Sequence, residues 1–225
     1  LIVRNGYIEP ADMQAVLQTP QDLWRAADTA PTAWGIGGGL DTNVLLASQT
    51  KIDLGVLSAD QPPRVNVQGD TGDSAISVTP AGVYTALGEK AVVATGFLGG
   101  KSLDLGDFKL DVAANGFDFG SFTAVALDDM PLAESERVLL TYVGRAQNLG
   151  MGWNDERTTV GTAWGEGPAQ IEQMPMTVTL DGGAGMRAFL LTETGQRRGD
   201  PIALDGGSFE WTPEQKTIYV ELVRE

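Results

Sequence analysis

Met176-Thr177-Val178-Thr179-Leu180, followed by Asp181-Gly182-Gly183, decides the fold. Apolar and polar residues alternate, so the run reads as a strand with one face on a core and the other in water. The Asp-Gly-Gly that ends it supplies residues that accept a positive φ, and Asp205-Gly206-Gly207 repeats the device. Outward from this stretch, after Pro31, short runs rich in Val, Thr, Ile and Phe recur between clusters of Gly, Asp, Asn and Pro. Strands are predicted over 43–48, 51–57, 75–79, 83–86, 91–97, 108–112, 119–127, 137–144, 174–180, 186–192, 208–211 and 217–223. This grammar predicts an all-β, antiparallel β-sandwich of jelly-roll type over residues 32–225. No fixed-period repeat or heptad pattern competes with it.

Residues 1–31 read differently, as a helical lead-in or linker. Over 10–17, Met13, Val16 and Leu17 share one helical face. A second short helix is predicted directly after it, with Thr19 as cap, Pro20 at the first helical position and Asp22 in the first turn.

Composition narrows the chemistry. The chain has 225 residues, 42% of them hydrophobic, enough for a full core. Its formal charge of -15 repels phosphate backbones and anionic membrane surfaces, so neither nucleic acid nor membrane is an expected partner. With 0 His and 0 Cys, thiol nucleophiles, Ser-His triads and Cys/His zinc sites are excluded. The longest apolar stretch, 91–98, is far short of the roughly 20 residues that span a bilayer. The chain opens at Leu1 with neither Met nor a signal-peptide pattern, and is expected to be a piece of a longer protein.

From about Gly69 onward the phrases follow a recognisable order. Asp70-Thr71-Gly72-Asp73 is followed by Ala94-Thr95-Gly96-Phe97-Leu98-Gly99-Gly100, then by Leu127-Asp128-Asp129-Met130-Pro131-Leu132-Ala133-Glu134-Ser135. Next comes the most specific phrase, a strand leading into Arg145-Ala146-Gln147-Asn148-Leu149-Gly150-Met151, and then Trp164-Gly165-Glu166-Gly167-Pro168. In this order the chain resembles the β-sandwich module attached to the barrel of large bacterial glycoside hydrolases. The resemblance implies a non-catalytic accessory role beside a catalytic barrel, export to the extracellular space, and a polysaccharide or oligosaccharide as partner. An acidic, Gly-rich, Lys-poor surface suits export.

Sugars offer a flat C–H face to Trp or Tyr and hydroxyls to Asp, Asn, Gln and Arg. The segment 145–166 holds these ingredients in Trp153, Trp164, Asn148, Asn154, Asp155 and Arg157. Trp153, between small glycines and a polar run, is read as the stacking residue; Trp164 reads as structural, though it stays among the binding candidates. Trp34, before the glycine run 35–39, is a further platform candidate, whereas Trp24 and Trp211 read as core. Arg145 either bonds a sugar or clamps a loop through Asp128 or Glu134.

Asp128, Asp129 and Asp205, with Asp70 and Asp73, are candidate oxygen ligands for a structural calcium ion, without the spacing of an EF-hand. Two alternatives to glycan binding stay open. One is a scaffold that packs on a glycosidase barrel without touching sugar. The other is a glycosidase built on a carboxylate pair, with Glu134, Glu166 and Glu172 as the acids.

Overall fold

The computed structural model describes residues 14–20, 49–57, 64–68, 76–78, 82–116, 118–155 and 159–224. The chain forms two compact units, Leu1–Thr79 and Pro80–Glu225. The domain boundary expected after Pro31 and the strand expected over 43–48 lie outside the described residues.

In the first unit, β1 (Gln14–Pro20), β2 (Gln49–Leu57) and β3 (Arg64–Gln68) form a sheet in the order β2-β1-β3. β1 runs parallel to β2 and antiparallel to β3, and β4 (Ile76–Val78) follows. This corrects the first predicted helix over the part that is described. Residues 14–17 are strand, because β1 is the central strand and its backbone groups bond to neighbours on both sides, which displaces the local helical pattern. Thr19 and Pro20, predicted to open a second helix, end the same strand. Residues 10–13 and 21–24 lie outside the described residues.

The second unit is an all-β sandwich. Its strands are β5 (Val83–Leu87), β6 (Ala91–Phe97), β7 (Ser102–Leu105), β8 (Phe108–Val112), β9 (Phe119–Ala126), β10 (Arg137–Gly144), β11 (Ala146–Leu149), β12 (Glu166–Ile171), β13 (Met176–Leu180), β14 (Met186–Leu191), β15 (Arg197–Ala203), β16 (Ser208–Trp211) and β17 (Tyr219–Arg224). One sheet runs β15-β14-β17-β10-β9-β6-β5 and the other β16-β13-β8-β7, while β11 and β12 pair only with each other. Every pairing in this unit is antiparallel.

Alternation builds the core between the sheets. Phe108, Leu110, Val178 and Leu180 from the smaller sheet meet Phe122, Ala124, Leu140 and Leu222 from the larger, all essentially closed to solvent. The Phe108 and Phe122 rings lie 6.1 Å apart, as do those of Tyr142 and Trp211. Each such burial contributes about 1.5–3 kcal/mol. The Asp181-Gly182-Gly183 turn carries the chain from β13 in one sheet to β14 in the other. Gly207, with φ 89°, passes so close to β13 that a Cβ there would lie 2.6 Å from the Leu180 carbonyl oxygen.

Strands β3, β7, β11, β12 and β15 escaped the sequence reading. β12 is exposed along its whole length, and the first half of β15 is Arg-Arg-Gly-Asp, so neither carries the apolar rhythm of a core strand. No helix among the described residues is long and apolar enough to cross a membrane.

Candidate functional site

β10 ends at Gly144, and the absent side chain matters there. A Cβ on Gly144 would lie 2.1 Å from the Glu172 carbonyl oxygen, so only glycine lets the returning chain come this close. The next residue closes the base of the β11–β12 hairpin. Glu172 N–H donates to the Arg145 carbonyl at 2.8 Å, and Arg145 Nε stands 3.2 Å from a Glu172 carboxylate oxygen. The loop-clamping role read for Arg145 therefore has a different partner from the expected Asp128 or Glu134. The register shows why: Ala146 faces Ile171, which puts Arg145 and Glu172 on the next rung outward.

Beneath this pair the Tyr142 hydroxyl is buried. Burial pushes its pKa up to about 12, helped by the nearby Glu172 carboxylate and opposed by the polar Met174 backbone. The phenol stays protonated at ordinary pH.

The loop between β11 and β12 folds back on itself. Gly152 N–H donates to the Ala163 carbonyl at 2.9 Å, and Asn154 N–H to the Thr159 carbonyl at 3.0 Å. Asn154 Oδ1 accepts from Thr159 N–H at 3.1 Å, and the Asn148 amide donates to the Trp164 carbonyl at 3.1 Å. Two of the predicted sugar-binding amides thus brace the loop that carries the indoles. Trp153 is 38% exposed, and its Nε1–H donates to Gln147 Oε1 at 3.2 Å. It borders a cleft of about 370 Å³ with Arg145, Gln147, Met151, Asn154 and Asp155.

Trp164 plugs no core. It is 62% exposed, in a shallow hollow of about 530 Å³ with Leu149 and Glu166, and the structural role read for it gives way to a surface position. Trp211, read as core, is 1% exposed. Arg157, Trp34, Trp24, Asp70 and Asp73 lie outside the described residues. Gln147 and Met151 were not read as site residues; Gln147 enters the cleft from its place on β11 and Met151 from the turn that follows, where its N–H donates to the Asn148 carbonyl at 3.2 Å.

Two of the candidate calcium ligands, Asp128 and Asp129, have their carboxylates engaged within the chain. Asp128 accepts hydrogen bonds from the Ser135 hydroxyl at 2.7 Å and from Glu136 N–H at 2.6 Å, closing the turn between β9 and β10. Burial would raise its pKa, but these bonds and one from Met130 N–H outweigh it and hold the carboxyl below its ordinary value. Asp129, at φ 61°, pairs with Lys90 at 2.7 Å. Asp205 exchanges main-chain hydrogen bonds with Ser208 in the tight turn before β16. Among the described residues no three His, Cys, Asp or Glu side chains gather into a set that could hold a metal ion. Of the acids considered for hydrolysis, Glu134 and Glu166 are exposed and Glu172 is paired with Arg145.

Comparison of the chain with protein-family models, with curated proteins and with solved structures returns no match.

Proposed function

We propose that the chain is a non-catalytic carbohydrate-binding module of a secreted glycoside hydrolase, taking a glycan into the Trp153 cleft. The observation that carries this reading is the setting of Trp153. Its indole is partly open to solvent, its N–H is fixed by Gln147, and Arg145, Asn154 and Asp155 border the same cleft. A fixed aromatic surface beside hydroxyl-bonding groups is the arrangement that sugar rings require. The Arg145–Glu172 pair at the hairpin base supports it by anchoring the cleft to β10.

Affinity electrophoresis against plant, algal and bacterial polysaccharides tests the proposal. One or more should retard the protein, and Trp153→Ala should weaken retention by about 1–3 kcal/mol, as for an aromatic anchor, without unfolding the chain. Unchanged retention would remove Trp153 from the site.

A second reading is the scaffold that packs on a catalytic barrel. It is favoured by Leu149 and Trp164, large apolar side chains at 50% and 62% exposure that share one hollow beside β11 and β12. Exposed apolar residues grouped this way mark contact surfaces. Replacing Trp164 with Ser should then weaken association with the catalytic domain and leave glycan retention intact.

A further inference from the structure

A groove of about 620 Å³ shares no lining residue with the Trp153 cleft; it lies among β12, the end of β14, β15 and the β16–β17 connection. Two cations line it, Arg198 and Lys216. The chain holds 30 acidic residues against 15 basic ones, and its described cations divide between carboxylate pairs and main-chain carbonyl contacts such as those of Lys101 and Arg224. Arg137, Arg145, Arg197 and Lys90 all pair with carboxylates. Arg198 instead donates to the main-chain carbonyls of Gln215 and Lys216, the latter at 3.4 Å. Lys216 makes no ion pair among the described residues.

The backbone of Lys216 adds a second, independent observation. It lies in the left-handed region, φ 49° and ψ 46°, at the end of the 3₁₀ turn Pro213–Gln215. Glycine is the usual occupant of that conformation, and strained non-glycine residues gather at ligand sites. The neighbouring chain is held firmly. Thr217 Oγ1 donates to the Leu191 carbonyl at 2.7 Å, while Trp211 Nε1 and Gln173 Nε2 both donate to the Thr217 carbonyl, at 3.1 and 2.6 Å. Lys216 is therefore carried on a fixed segment, while Arg198 stands on β15.

We propose that this groove binds the carboxylate of an acidic sugar residue, with Arg198 and Lys216 as the anion-binding pair and Gln170, Thr192 and Tyr219 serving the hydroxyls. The choice of a sugar rests on the proposed carbohydrate-binding function; the anion site rests on the groove itself. A guanidinium and an ammonium lining one groove suit a carboxylate, through charge-assisted hydrogen bonds. Glu193 lines the same groove and is the carboxylate a bound anion would meet.

Titration calorimetry with oligogalacturonate and oligomannuronate, each beside its methyl ester, and with inorganic sulfate provides the test. At least one free acid should bind about tenfold tighter than its ester, with a preference that falls as salt rises. Lys216→Gly should lower that affinity about tenfold while raising the thermal unfolding midpoint, and Arg198→Gln should also weaken it. Glu193→Gln should strengthen it, and Trp153→Ala should leave the acid-over-ester preference in place. Failure of both acids to bind, equal binding of acid and ester, or affinity unaffected by Lys216→Gly would overturn the proposal. Sulfate binding as tightly as the oligosaccharide would mean an adventitious ion only. If Trp153→Ala leaves neutral glycan retention unchanged while the acid preference persists, the Trp153 reading fails and the groove stands.

Discussion

Trp153 and Trp211 are the same residue type in opposite circumstances. Trp211 is 1% exposed, donates Nε1–H to the Thr217 carbonyl at 3.1 Å and packs against Tyr142 and Phe209. Its replacement by Ala should cost about 3–5 kcal/mol in urea unfolding, the range for a large core aromatic, whereas Trp153→Ala should move the same curve by less than about 1 kcal/mol. Glu221 shows what a buried charge requires. Its side chain is 6% exposed, and it accepts from Arg137 and from Arg197 at 2.8 Å, with the Arg197 guanidinium lying 3.9 Å from the centre of the Phe189 ring. Burial would raise its pKa above the ordinary 4.5, but the hydrogen bonds and charges of the two arginines prevail and lower it. A lowered folded pKa stabilises fully above the ordinary value and is lost as pH falls through the folded one. Glu221→Gln should therefore destabilise the protein by about 1 kcal/mol at pH 7, a modest figure because both arginines are half in water. The gap should close as unfolding is measured at pH values falling below 4.5.

At the scale of elements, the hairpin β11–β12 matters most, because it carries the cleft and springs directly from the end of β10 at Gly144. Gly144→Ala should strain that point, since the new methyl would meet backbone rather than a movable side chain. A loss of about 1–3 kcal/mol is expected, the usual cost of overpacking, together with weaker glycan retention as Arg145 and Glu172 separate. Thermal unfolding and affinity electrophoresis of the same variant check both halves. The hairpin also marks how far the sequence could be read. β6, β8, β10 and β16 begin and end where apolar alternation predicts, because their inner residues face a core and their outer ones face water. β11 and β12 bury no face, so nothing in their composition distinguishes a strand from a loop. β1 failed for the opposite reason: a short apolar pattern fits helix and strand alike, and only partners distant in the chain chose between them.

For the whole molecule, the unit Pro80–Glu225 has its own core and contains both the Trp153 cleft and the Arg198–Lys216 groove. Expressed alone, residues 80–225 should unfold in one cooperative transition by near-UV circular dichroism and should retain the glycan retention of the full chain. A broad transition, or retention lost with the first unit, would show that the first unit completes the fold or the site. The sequence by itself determined the all-β class, the inner-facing residues of the core strands, the glycine-rich turns and the absence of thiol and imidazole chemistry, since each depends only on residue type and short-range spacing. It also marked Trp153 and the polar residues after it as candidates. Tertiary structure alone decided that β1 is a strand, that Arg145 meets Glu172, that Gln147 and Met151 share a cleft with Trp153, and that Arg198 reaches the backbone at Lys216. Those outcomes join residues far apart in the chain through sheet register, and register is fixed by the packing of the two sheets together rather than by any one segment.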